Sequence, residues 1–392
     1  MQPKNWKYPL SVIASVSLLA GATTAVPAAA AESYTVRYLV SNQPGAAHRD
    51  PHLQNPWGVA FLPDAPFWVG DNNSGVSTLY DGDGKIQSLV VKIPLPPPPL
   101  RPDVNPKASS PTGVVSNSAD DFFVDGDPSW PANFLFATED GTISGWFSTA
   151  GTKADLVVNN SLNGAHCKPK PTVNCQGAVY KGLALGNNNT KGALLFATNF
   201  RSAKVEVYNS SFQPVSLGST AFVDNQIPSG YAPYGIANLG GQLYVTYAKQ
   251  NARKHDSVSC AACGFVDIFD TDGALVSRLL PAGKNAELDA PWGVALAPDS
   301  FWPGGAVLVG NFGDGRINAF DSTGKFLGAL ENGATKKPVT ISNLWAIVFT
   351  GPQGPPNSNA AALYFTSGPD NETNGRFGSI TPATQVSLSL PR

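Results

Sequence analysis

Asn55-Pro56-Trp57-Gly58-Val59-Ala60-Phe61 returns, altered but recognisable, down the rest of the chain. It comes back as Ala290-Pro291-Trp292-Gly293-Val294-Ala295-Leu296, as Ala232-Pro233-Tyr234-Gly235-Ile236-Ala237 and as Ser110-Pro111-Thr112-Gly113-Val114-Val115. Fainter copies stand at Val179-Tyr180-Lys181-Gly182-Leu183-Ala184 and Asn343-Leu344-Trp345-Ala346-Ile347-Val348. A motif recurring at such a pitch marks a repeat architecture, so six copies predict six structural units.

Each copy is followed by further strand-like runs. In the first unit Gly58–Phe61, Phe67–Gly70 and Val76–Tyr80 succeed one another, with Asp71–Gly75 turning between the last two. Asp81-Gly82-Asp83-Gly84 is a hairpin signal before a fourth run, Ile86–Ile93. The unit is therefore a four-stranded meander, and the other five match it. Short strands in fours, repeated radially, hide their sheet edges around a central channel. The expected fold is all-β, a six-bladed β-propeller with blades starting near residues 55, 110, 179, 232, 290 and 343. The last unit runs out soon after Ile380. The segment Tyr34–Val40 is free to complete its sheet, which predicts a ring closed by the N-terminal strand.

Composition agrees with this. The 392 residues include 39 Gly, 34 Pro and one Met, a chain rich in turn formers and poor in helix formers. A net charge of −2 and 14% charged residues leave no basic surplus, which argues against nucleic acid as a partner. Residues 1–31 read as a signal peptide: Lys4 and Lys7 lead into the apolar run Leu10–Ala22, and Ala29-Ala30-Ala31 precedes Glu32. The remainder, 32–392, is expected to be one propeller domain, secreted or periplasmic, with no membrane span after leader cleavage. Export gives meaning to the four cysteines. The spacings favour two local bridges, Cys167 with Cys175 and Cys260 with Cys263.

In a propeller, the loops entering each innermost strand and the hairpins between second and third strands open on one face, around the channel mouth. The hairpins supply Asp71, Asn72, Glu139, Asn199, Arg201, Asn311 and Arg316 as candidate ligand-binding residues. Hard cations take carboxylate and amide oxygens, so Asp71, Asn72, Glu139, Asn199 and Asn311 form one candidate metal set, for Ca²⁺ or another divalent ion. The four histidines, His48, His52, His166 and His255, form the alternative set. Against both stands the preference of hairpin turns for Asp and Asn on geometric grounds alone. The aromatic residues of the motif, Trp57, Tyr234, Trp292 and Trp345, suit either stacking on a ligand or packing between blades. No Gly-x-Ser-x-Gly elbow, Walker loop or His-Glu-x-x-His is present.

The unit Pro-x-Gly-Val-Ala, then Val69-Gly70-Asp71-Asn72-Asn73 or Val309-Gly310-Asn311-Phe312-Gly313-Asp314-Gly315-Arg316-Ile317, then a closing Phe-Asp-x-x-Gly, resembles the repeat of NHL-type six-bladed propellers. Over nearly all of residues 32–392 the chain looks like an uncharacterised family of exported bacterial propellers, some of which carry sorting tails read by an exosortase. Leu388-Ser389-Leu390-Pro391-Arg392 does not match such a tail. The wider NHL-like group includes metal-dependent lactonases, a zinc amidating lyase and streptogramin lyase, beside members that only bind. Their catalytic residues have no position-by-position match here. The resemblance therefore implies fold and compartment, and leaves two functions: a binding or scaffold protein recognising a small molecule, glycan or protein at one face, or a metal-dependent hydrolase or lyase at the channel mouth.

Overall fold

The computed structural model describes residues 33–279 and 287–383; the signal peptide and the residues after 383 read above lie outside them. It is a six-bladed β-propeller. The innermost strands are Pro56–Ala60, Pro111–Ser116, Tyr180–Asn188, Tyr231–Leu239, Pro291–Ala297 and Leu344–Phe349, one for each motif copy. Blade 1 continues through Phe67–Asp71, Val76–Tyr80 and Val91–Lys92, and the other blades follow the same antiparallel order. Among the described residues the one helical element is a 3₁₀ turn, Val124–Gly126.

The ring closes as expected. Ser33–Ser41 lies antiparallel on Arg376–Pro382 and forms the outer strand of blade 6, with Val36 opposite Ile380. In blade 3 the outer place is held by a single bridge between Tyr208 and Pro214. Proline has no N–H to donate to a ladder, and the flanking bonds from Asn209 N to Gln213 O and from Val215 N to Val207 O hold the segment against the blade.

The motif does two things in each blade. Every innermost strand slips register against its neighbour at the motif, between Pro56 and Val59 in blade 1 and at the matching positions elsewhere. A bulge of this kind re-aims a side chain, and here it turns the Trp57 position toward the axis. The glycine that follows lets neighbouring blades touch. A Cβ on Gly58 would lie 2.5 Å from Val114 N, and one on Gly235 2.0 Å from Trp292 O. Threonines on the second strands bridge the same seam: Thr198 Oγ1 accepts from Gly182 N and donates to Tyr234 O of the next blade. Thr366 links Ala346 N to Trp57 O across the closure between blades 6 and 1.

The core between blades is aliphatic and aromatic, as in the stack of Trp68 on Phe134 at 4.1 Å between blades 1 and 2. Both disulfides form as the spacing predicts, Cys167–Cys175 and Cys260–Cys263. No helix among the described residues is long and apolar enough to cross a membrane.

Candidate functional site at the channel mouth

The six residues at the Trp57 position are Trp57, Thr112, Lys181, Tyr234, Trp292 and Trp345. The aromatic ones do not pack between neighbouring sheets. They meet each other in the channel: Trp57 stacks on Trp345 with centroids 3.4 Å apart and stands edge-on to Trp292 at 6.0 Å. Trp57 also reaches Tyr234 of blade 4, directly across the ring, at 6.4 Å. Phe312 and Phe200 extend the cluster. Together these rings plug the channel, and burial of this much aromatic surface makes the plug a second core along the axis.

Lys181 lies on the plug. It is 1% exposed, with its ammonium 5.0 Å from the Trp57 ring centre and 5.7 Å from that of Phe200. A buried ammonium needs partners. Lys181 donates to Glu139 Oε1, and Asp256 Oδ1 lies 3.6 Å away. Asn72 donates to the other Glu139 oxygen at 3.0 Å. His255 Nδ1 pairs with Asp256 Oδ1 at 2.7 Å. The Asp256 carboxylate thereby orients the His255 ring.

His255 and Asp256 sit on the long excursion between the second and third strands of blade 4, Gln242–Lys249 and Phe265–Phe269. Cys260–Cys263 closes the base of this loop, and Asn251 Oδ1 accepts from His255 N. The opposite wall comes from the Pro-rich connector after blade 1. Arg101 pins it by donating to the carbonyls of Glu139, Ser161 and Ala178, and Asp103 accepts from both Arg101 and Arg201. This connector, which includes Pro94-Leu95-Pro96-Pro97-Pro98-Pro99-Leu100-Arg101-Pro102, thus builds part of the mouth.

Between these walls lies a polar cleft of about 270 Å³ lined by Asn72, Asp103, Asn105, Glu139, Asp140 and His255. Its carboxyls differ in protonation. Burial pushes Asp140 up to about 7 against the pull of the Ser110 N–H. Burial and the Glu139 charge also raise Glu372, which accepts from Asn55 Nδ2 at 2.9 Å. For Asp103, burial is outweighed by Arg101 and Arg201, which hold it at about 2. For Asp256, burial is outweighed by the His255 hydrogen bond and Lys181, and its carboxyl lies well below the ordinary range.

Of the residues expected at the mouth, the structure brings together Asn72, Glu139 and His255, one of them from the alternative metal set. The others are held elsewhere. Asp71 is fully buried inside blade 1, where Thr78 donates to it; burial drives its carboxyl toward the neutral acid. Asn199 donates to Glu206 and receives Val179 N, and Asn311 donates to Glu287 O and Asp314. Arg201 holds Cys175 O, Gly177 O and Asp103, while Arg316 lies on the surface beside Asp314. His48 is in the short strand His48–Arg49 added to the rim of blade 6, His52 pairs with Asp50, and His166 is in the Cys167–Cys175 loop. Sequence reasoning missed Asp256 and Glu372. Lys181 stands in one of the fainter motif copies, and the signal that marks it is that this copy carries a lysine where three carry tryptophan.

Glu139, His255 and Asp256 each offer one ligand atom, all within 4.8 Å of one another. As a donor set this suits a divalent ion. The Lys181 ammonium, however, already contacts both carboxylates. With lysine charged, the set does not fit a resident metal, because the ion would meet a cation hydrogen-bonded to one of its three ligands and ion-paired with a second.

No family model matches the chain. The solved structure of a Bacteroides thetaiotaomicron protein of unknown function superimposes with a TM-score of 0.50 at 11% identity, covering 89% of this chain and 76% of that one, a likeness of fold. The sequence relatives are viral proteins, where bacterial ones were expected. Uncharacterized protein L690 of Acanthamoeba polyphaga mimivirus is 30% identical over 367 residues, 90% of this chain and 87% of its own. Uncharacterized protein R648 of the same virus is 30% identical over 365 residues, 90% of this chain and 82% of its own, and the chain belongs to the family of these mimivirus proteins.

Proposed function

We propose that the protein is an exported binding protein whose channel mouth recognises a hydroxyl-rich small molecule or glycan. The observation that carries this reading is the polar cleft seated on a closed channel. Carboxylate and amide groups converge at Asn72, Asp103, Glu139 and Asp140, and such groups pair with sugar hydroxyls in both donor and acceptor senses. The plug beneath stops a ligand from passing through, so the site is a cup. Two disulfides fit an oxidising compartment.

The second reading is a metal-dependent hydrolase or lyase. The clustering of Glu139, His255 and Asp256 favours it, and the Lys181 ammonium between the two carboxylates opposes it. One experiment separates them. Protein purified without a His tag is titrated calorimetrically with mono- and oligosaccharides, and in parallel with Ca²⁺, Mg²⁺, Mn²⁺ and Zn²⁺. Saturable sugar binding that weakens in Glu139→Gln supports the proposal. A stoichiometric divalent ion together with turnover of lactone or ester substrates would replace it with the enzyme reading.

A further inference from the structure

On the other side of the plug the channel opens again. The innermost strands run from the mouth, where their Trp57 positions lie, toward the opposite face, and their second halves enclose a well of about 360 Å³. Every blade contributes to it: Val59, Val114, Leu183, Ile236, Val294 and Ile347 are equivalent residues of the six repeats. No charged side chain lines it among the described residues. Phe61, Val115, Leu185, Leu239 and Val348 are only partly buried and ring the opening.

Two features separate this well from an ordinary packing defect. Its volume is at the lower end of the roughly 300–1,000 Å³ typical of small-molecule pockets, several times the space of one water. A void of that size between aliphatic side chains forfeits dispersion contacts that closer packing would make. Second, the aliphatic side chains that meet beside the plug are repeated by every blade, and the polar side chains of the lining, Ser116 and Asn238, come three residues after the motif glycine, further along their strands.

We propose that the well is a second binding site, distinct from the mouth, for an uncharged and mainly apolar small molecule. Charged ligands are excluded by the lining, which offers no counter-charge. Large ones are excluded by the plug that forms the floor.

The test uses the full-length or leader-cleaved protein and N-phenyl-1-naphthylamine, an uncharged probe whose emission rises in apolar surroundings. One probe per chain should bind, saturably and with a blue shift. Val348→Trp, which fills the lip of the well, should weaken binding at least tenfold, and Leu239→Asp, a milder change at a partly exposed rim position, at least fivefold. Val276→Ser, at a 50% exposed residue on the outer strand of blade 4, should leave it within twofold. Competition then reads the charge: naphthalene should displace the probe at least tenfold better than 2-naphthoate, and equal displacement by the two would overturn the proposal. Absence of saturable binding overturns the proposal. So does probe affinity unchanged in both rim variants, since the probe would then be sitting elsewhere, or loss of affinity in Val276→Ser.

Discussion

The two ends of the channel are made from the same six strands, yet a few residues along each strand separate a mouth crowded with charge from a well that has none. At the mouth Lys181, Glu139, Asp256 and His255 bond one another around the axis. Beyond the plug the equivalent residues are valine, leucine and isoleucine. The difference lies in what the repeat is free to vary. Second halves of the inner strands face one another across the ring, and apolar side chains fill the six equivalent places beside the plug, where an unpaired polar group would be costly. The mouth ends are overhung by hairpins and by the Arg101 connector, which satisfy whatever polar group a single blade introduces. One lysine in place of tryptophan is tolerated because a neighbouring blade provides Glu139.

The plug is what keeps the two ends apart, and removing a ring from it should have the largest effect. Trp345 touches Trp57, Trp292, Tyr234 and Phe312. Trp345→Ala is expected to cost about 3–5 kcal/mol, the usual range for truncating a buried aromatic, read as a shift of the urea midpoint. Acrylamide should also quench the remaining tryptophans more strongly. If the variant melts like the parent, the rings are not a core and the separation of mouth from well fails with them.

Next in size is the ion pair on top of the plug. Glu139→Ala leaves the Lys181 ammonium 1% exposed with only the half-exposed Asp256 nearby. Breaking one side of a buried pair costs about 3–5 kcal/mol; Glu139 reaches solvent at the cleft, which brings the expectation to about 2–3 kcal/mol. Lys181→Met added to Glu139→Ala should recover much of the loss, since it removes the stranded charge and packs on Trp57. A double variant no more stable than the single one would show that the pair is not the reason this end is polar.

The mouth should also be the pH-sensitive end. Asp140 titrates at about 7 in the folded protein, against about 4 in an unfolded chain. Between those values the native state holds the proton more tightly than the unfolded one, so stability falls as pH rises, by at most about 1.4 kcal/mol per pH unit from this group. Asp140→Asn removes that slope, so its stability relative to the parent should climb from pH 4 to pH 7 and then level off. Asp103, held at about 2, acts in the opposite sense: its contribution is present above about pH 4 and disappears as pH falls toward 2. Parallel stability curves for parent and Asp140→Asn would mean that Asp140 is ionised and paired at neutral pH.

How much of this was legible in the sequence divides along the same line. The repeat fixed the phase of all six blades and the closing strand Ser33–Ser41, because strand periodicity and turn chemistry are local. The plug is not legible in the motif: a recurring Trp suits stacking on a ligand or packing between blades, and it is the register slip after Pro56 that accompanies the turn of the ring into the channel. The mouth was half visible. Asn72 and Glu139 were named because hairpin ends converge by topology. Asp71, Asn199 and Asn311, which look equivalent, are bound within their own blades by partners such as Thr78 and Glu206 seven positions on. Asp256 was hidden in a loop whose path depends on Cys260–Cys263 and on contacts with Asn251, none of which a linear motif records.

The smallest expected effect is the most direct measure of whether the ends are independent. Asp256 is 59% exposed at its side chain and pairs with Lys181 and His255; exposed pairs of this kind contribute about 0–1 kcal/mol. Asp256→Asn should therefore leave the melting temperature nearly unchanged. It should nonetheless weaken any sugar bound at the mouth, because the carboxylate that orients His255 is lost. Binding of N-phenyl-1-naphthylamine in the well should stay within twofold. A larger change in the well would mean that the two ends are coupled, and a ligand at either end should then alter affinity at the other by one shared factor. The plug would then be a transmitting element rather than a wall, and the Trp57–Trp345 stack, which bears both Lys181 above and the well below, is where the two arrangements would have to differ.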